Sequence, residues 1–164
     1  MRVLLALLAF AIVAISRTPA VADSLPETEQ YFEGTWTCKT DRGAFAIHNY
    51  RIELGDQWMT MHNRFEMPGG ATGQFDEYYR YLPAAKAWDV VAFGSDGTMA
   101  IGGSTGWAGT TWRFTGTQTA AGGEKVPWRM TYTRYGTSKF ERTLELKAGN
   151  NSWARNSAET CERR

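Results

Sequence analysis

The sequence predicts an all-β protein, a single antiparallel up-and-down barrel of about ten short strands preceded by a short helix. Three observations carry that prediction. After Glu33 the chain shows no helical period and instead alternates apolar and polar residues in short runs. Gly, Asp and Pro punctuate these runs at nearly even intervals. The seven Trp and seven Tyr all follow residue 23, and such rings favour the half-buried surface of a pleated strand.

The chain begins Met1-Arg2, continues with an apolar run from Val3 to Ile15, and reaches Ala20-Val21-Ala22 before Asp23. A positive start, a short apolar core and small residues before the cut describe a cleavable secretory signal over residues 1–22. The run is shorter than the roughly 20 apolar residues of a membrane span, so no stable anchor is expected after cleavage. Residues 23–164 then form one domain of periplasmic or secreted location. Cleavage removes Arg2 and Arg17 and no acid, which turns the formal net charge from +1 to −1. A balanced chain of this kind has no basic footprint for nucleic acid.

Ser24-Leu25-Pro26-Glu27 has the form of a capping box and predicts a helix running to Tyr31. The strands are expected at Thr35–Asp41, Phe45–Leu54, Gln57–Glu66, Gln74–Leu82, Ala87–Ser95, Thr98–Ser104, Thr110–Gln118, Pro127–Tyr135, Lys139–Lys147 and Ser152–Glu162. The turns test this division, because a slip of one residue turns every side chain to the other face.

A two-residue loop at Gly55-Asp56 pairs Ala46 with Phe65, His48 with Asn63, Tyr50 with Met61 and Ile52 with Met59. A four-residue loop at Pro83–Lys86 pairs Tyr79 with Val90 inside and Arg80 with Asp89 outside. Asp96-Gly97, read as a type I′ turn, pairs Ala92 with Ile101 and Gly94 with Met99. A three-residue loop at Gly136–Ser138 pairs Met130 with Leu144 and Tyr132 with Arg142. Gly69-Gly70 and the stretch Gly102 to Gly106 read as turns at a barrel rim. Trp58 and Trp107 are expected on the outer face, as candidates for a docking surface.

Cys38 and Cys161 are the only cysteines. In an exported chain such a pair reads as a disulfide, the alternative being two buried free thiols. A metal centre is not expected, since His48 and His62 are the only other soft ligands.

Gly34-Thr35-Trp36, at the start of the first strand and after a short helical segment, resembles the G-x-W signature of the calycin superfamily, which holds lipocalins, fatty-acid-binding proteins and nitrobindin-like barrels. Tyr79-Arg80-Tyr81, Trp88 and Ser95-Asp96-Gly97 look more like uncharacterised secreted bacterial lipocalin-like proteins. The resemblance implies neighbouring first and last strands, so that Cys38 bridges naturally to Cys161. It also implies a cup for a hydrophobic small molecule, with Gly34 and Trp36 as structural signature and Trp36 plugging the closed end. The haem pattern of nitrobindin-like barrels needs a late histidine, whereas none follows His62, and no cofactor is expected.

The registers place four polar side chains, His48, Asn63, Glu77 and Arg142, on an otherwise apolar inner face that includes Tyr50, Met61, Tyr79, Ile101 and Tyr132. Apolar walls with a few polar anchors are the usual composition of a small-molecule site. The ligand residues expected are therefore His48, Tyr50, Met61, Asn63, Glu77, Tyr79, Tyr132 and Arg142. Arg142 beside Tyr132 offers a planar fork of donors to an anionic head group. Its alternative role is to satisfy Glu77. The leading function is thus binding of a small hydrophobic or amphipathic ligand, anionic ones included. The rival is a filled barrel acting as a non-catalytic envelope or protein-interaction module. An enzyme using His48 and Glu77 as acid and base ranks third. No G-x-S-x-G elbow, H-E-x-x-H helix or phosphate loop supports it.

Overall fold

The computed structural model describes residues 30–149 and 151–164. The expected signal segment and the capping box at Ser24 lie outside them. A turn in which Glu33 N–H donates to the Gln30 carbonyl leads into the first strand. The strands are β1 (Gly34–Thr40), β2 (Phe45–Glu53), β3 (Trp58–Glu66), β4 (Thr72–Leu82), β5 (Ala87–Gly94), β6 (Met99–Ser104), β7 (Trp107–Ala108), β8 (Thr111–Thr119), β9 (Lys125–Tyr135), β10 (Lys139–Lys147) and β11 (Trp153–Arg163). All ladders are antiparallel. Chain neighbours pair throughout, except that β1 pairs with β11 and β6 pairs with β8, while β7 is a two-residue stub on β8. Ten strands therefore close into a barrel.

Local chemistry sets most registers as the turns require. β2 and β3 align Ala46 with Phe65, His48 with Asn63 and Tyr50 with Met61. Their turn is wider than a two-residue loop: Leu54, Gly55 and Asp56 all take left-handed backbone angles, yet the added residues are symmetric and the register is unchanged. β4 and β5 align Tyr79 with Val90 and Arg80 with Asp89, whose ion pair spans 2.7 Å on the outer face. β9 and β10 align Met130 with Leu144 and Tyr132 with Arg142.

The turn at Asp96-Gly97 departs from expectation. Ala92 lies opposite Ala100, and Val91, not Ala92, lies opposite Ile101. The loop has three residues, Ser95, Asp96 and Gly97, with Gly97 left-handed at φ 86° and the Asp96 carboxylate accepting from Thr98 N–H. A type I turn followed by a left-handed glycine makes this geometry, and it shifts β6 by one residue relative to a type I′ hairpin. Ile101 therefore points outward, 55% exposed, beside exposed Met99 and Phe93.

The Gly102 stretch is also more than rim. Gly102 and Gly103 lie in β6, and Gly102 sits opposite Gly116 at the β6–β8 seam. A Cβ on Gly116 would lie 2.0 Å from the Ile101 carbonyl oxygen, so the close approach of these backbones requires glycine. At the other closure Cys38 lies opposite Cys161, and the two form a disulfide across 123 residues of sequence.

One end of the barrel is filled by aromatic rings. Phe32, preceding β1, packs against Trp36, Tyr50, Trp107, Trp112, Tyr132 and Phe140. Trp36 is fully buried, donates its indole N–H to the Phe32 carbonyl at 2.7 Å and carries Arg163 over its face. Trp107 belongs to this plug, stacked on Trp112 with Arg134 over its ring, and not to an outer docking surface. Trp58 stays on the outside under Arg80.

Candidate functional site

The other end of the barrel is hollow. A cavity of about 330 Å³ lies beneath the β1–β2 and β3–β4 turns. Phe65, Met67, Phe75, Leu144, Ala44 and Ala46 form apolar walls; Asn63, Arg142 and Glu159 provide the polar floor, and Asp41 and Arg42 stand at the rim. Strand alternation places these residues: Ala46, Asn63, Phe65, Phe75, Arg142 and Leu144 all sit on inward positions of β2, β3, β4 and β10. The size falls at the lower end of small-molecule sites.

Two of the eight expected ligand residues, Asn63 and Arg142, border this cavity. The remaining six, His48, Tyr50, Met61, Glu77, Tyr79 and Tyr132, are all buried in the packed interior beyond it. Arg142 is the centre of their polar network. One terminal nitrogen pairs with Glu77, the other lies 3.0 Å from Glu159, and Nε donates to the Met130 sulfur. Tyr79 hydroxyl donates to the second Glu77 oxygen and contacts the Tyr132 hydroxyl at 2.7 Å. Both carboxylates are almost wholly buried, at 2% and 8% exposure. A single guanidinium holding two buried carboxylates satisfies the rule that buried charge is paired.

Burial pushes the Glu159 carboxyl up, but the charges of His48 and Arg142 outweigh it and hold the group at about 2. Burial likewise opposes the charge on Arg142, and Glu77, Tyr132 and Glu159 more than offset it, so its pKa stands well above the ordinary value. Tyr50, Tyr79 and Tyr132 are raised well above theirs, chiefly by burial, and are neutral hydroxyls.

Glu159 is the functional residue that sequence reasoning misses. The signal was present: Cys161 faces Cys38 inside the barrel, and a residue two positions earlier on the same strand shares its face. His48 pairs with this residue, Nε2 lying 3.4 Å from Glu159 Oε2, and not with Glu77. That contact lacks hydrogen-bond geometry, so both imidazole nitrogens are without a hydrogen-bond partner among the described residues.

The barrel resembles Rv2717c from M. tuberculosis, with a TM-score of 0.66 at 15% identity, covering 87% of this chain and 99% of that one. A de novo designed fluorescence-activating β-barrel gives a TM-score of 0.46 at 12% identity, covering 85% of this chain and all of the design. No protein-family model matches the sequence. No curated protein matches it either. The likeness to Rv2717c is one of fold.

Proposed function

We propose that the chain is an exported, lipocalin-like binding protein that holds a small molecule with an apolar body and a neutral or positively charged head in the hollow half of the barrel. The carrying observation is the cavity itself, about 330 Å³ between apolar walls and a polar floor. The charge of its head group follows from the floor. Arg142 is already shared by Glu77 and Glu159, so an anion reaching this guanidinium would also meet two carboxylates. The pairing of Arg142 with Glu77 thus replaces the anionic anchor as its reading. Export rests on the signal-like residues 1–22, and a disulfide suits an oxidising compartment.

Catalysis by His48 and Glu77 gains no support, because His48 faces Glu159 while the Glu77 oxygens are engaged by Arg142 and Tyr79. The filled-barrel alternative draws on the aromatic plug, which closes half of the interior.

Native mass spectrometry of the protein from its own host tests the binding reading. An added mass that vanishes on denaturation is the expected result. Titration with octanol, octylamine and octanoate then tests the head group: the alcohol and amine should bind more tightly than the carboxylate. A preference for octanoate would refute the charge argument. A clean mass together with no binding of any of the three would refute the binding function.

A further inference from the structure

Four metal-ligating side chains converge where the disulfide meets the inner wall. The ligand atoms of Cys38, His48, Glu159 and Cys161 all lie within 4.8 Å of one another. Strand register brings them together. Cys38 is opposite Cys161 on one side and Ala46 on the other; His48 follows Ala46 by two residues, and Glu159 precedes Cys161 by two, so all four point inward. His48 is fully buried, and neither of its ring nitrogens has a hydrogen-bond partner among the described residues. Buried polar atoms ordinarily have hydrogen-bond partners; here the imidazole's polar contact is Glu159 at 3.4 Å, without hydrogen-bond geometry, and with two sulfurs beside them the donor set is that of a metal site.

We infer that reduction of the Cys38–Cys161 disulfide converts this cluster into a tetrahedral Cys2HisGlu site for a divalent zinc-type ion. A dithiol reductant transfers two electrons and two protons to the disulfide, giving two thiols and its own disulfide. The ion then displaces both thiol protons to solvent and binds two thiolates, one imidazole nitrogen and one carboxylate oxygen. Bond lengths of about 2.3 Å to sulfur and about 2.0–2.2 Å to nitrogen and oxygen place tetrahedral ligand atoms roughly 3.3–3.8 Å apart. That spacing fits within the observed cluster once the sulfurs separate. Thiolate and imidazole donors select zinc-type ions over calcium or magnesium. Two thiolates and one carboxylate against a dication leave one negative charge, and Arg142, 3.0 Å from Glu159 and shared with Glu77, stands beside it in the second shell. The inference does not depend on the ligand proposed for the cavity.

The test uses the chain reduced with a phosphine, freed of reductant under nitrogen, and titrated with Co²⁺. One ion per reduced chain, with a thiolate-to-cobalt charge-transfer band and the intense visible bands of tetrahedral cobalt, is the expected result. The oxidised chain should show neither. His48→Ala and Glu159→Gln should each weaken binding roughly tenfold or more, since loss of a ligand should cost at least what loss of a second-shell partner does. Far-UV circular dichroism accompanies the titration. If reduction unfolds the barrel, Co²⁺ should restore the strand signal. Absence of the tetrahedral thiolate spectrum would overturn the inference. So would unchanged affinity in both variants, or an unfolded reduced chain that cobalt fails to refold.

Discussion

Arg142→Met removes the one guanidinium between Glu77 and Glu159 while keeping most of the aliphatic stem. Its effect can be worked from the burial of the two partners. Glu77 is 2% exposed and Glu159 is 8% exposed, so neither carboxylate can recover its solvation when the cation is lost. Breaking one side of a buried ion pair costs about 3–5 kcal/mol. With a urea slope of about 1.5–2 kcal/mol/M for a domain of this size, the midpoint should fall by roughly 2 M at pH 7.5.

The sign of the pH response identifies the cause. In the variant, burial raises at least one carboxyl above its unfolded value, and each unit of that rise costs about 1.4 kcal/mol at neutral pH. As the pH falls toward 5 the folded carboxyl takes up its proton first, and the variant should regain about 2–3 kcal/mol. The native protein should not gain in this range from Glu159, whose carboxyl is held low. Urea unfolding followed by far-UV circular dichroism at pH 7.5 and 5 measures both quantities. A variant within about 1 kcal/mol of the native protein, or one that does not recover on acidification, would refute the argument.

Three further outcomes are expected. Glu159 is held at about 2 against a usual 4.5, so its contribution is complete above pH 4.5 and is lost as pH falls through the folded value. Acid unfolding of Glu159→Gln should therefore lack a component on the order of 3 kcal/mol between pH 4.5 and 2, and superimposable curves would contradict the assignment. Gly116→Ala places a methyl against the Ile101 carbonyl and should destabilise by about 3 kcal/mol or more in thermal melts. Gly122→Ala, where the new carbon meets nothing within 4 Å, should change stability by less than about 0.5 kcal/mol. Reducing the disulfide with a chelator present should lower stability by up to about 5 kcal/mol, the chain-entropy value for a loop of 123 residues. A urea midpoint unchanged by reduction would refute that contribution.

Most of the barrel is legible in the sequence because turn chemistry and strand alternation report on the same quantity, the register. They agree at Pro83–Lys86 and at Gly136–Ser138, and both registers stand. They fail together at Asp96-Gly97. An Asp-Gly pair serves a two-residue or a three-residue loop equally, and Met99-Ala100-Ile101 is apolar at every position, so alternation gives no correction.

The inward placement of His48, Asn63, Glu77 and Arg142 follows from parity alone. Their pairings do not, because Arg142 on β10 meets Glu77 on β4 across the barrel, 65 residues away in sequence. The aromatic plug is less legible still. Phe32 belongs to no strand, and nothing periodic marks a ring that enters the barrel from its end.

The separation of plug from cup has an optical consequence. The indoles of Trp36, Trp88, Trp107 and Trp112 lie in or against the plug, Trp58 and Trp153 sit under arginines, and Trp128 is buried at the cup end, opposite Leu146 and one inward position beyond the cavity's Leu144. The cavity is lined by Phe65 and Phe75 but by no tryptophan or tyrosine among the described residues. The four plug indoles therefore report on the end of the molecule that a ligand does not enter, and Trp128 is the buried indole placed beside the cup. A saturated cup leaves the emission of those four almost unchanged, so occupancy should show as a partial change and not as full quenching. A second emitter in the cup wall, for example from Leu144→Trp, shifts the weight of the signal to the half that a ligand enters.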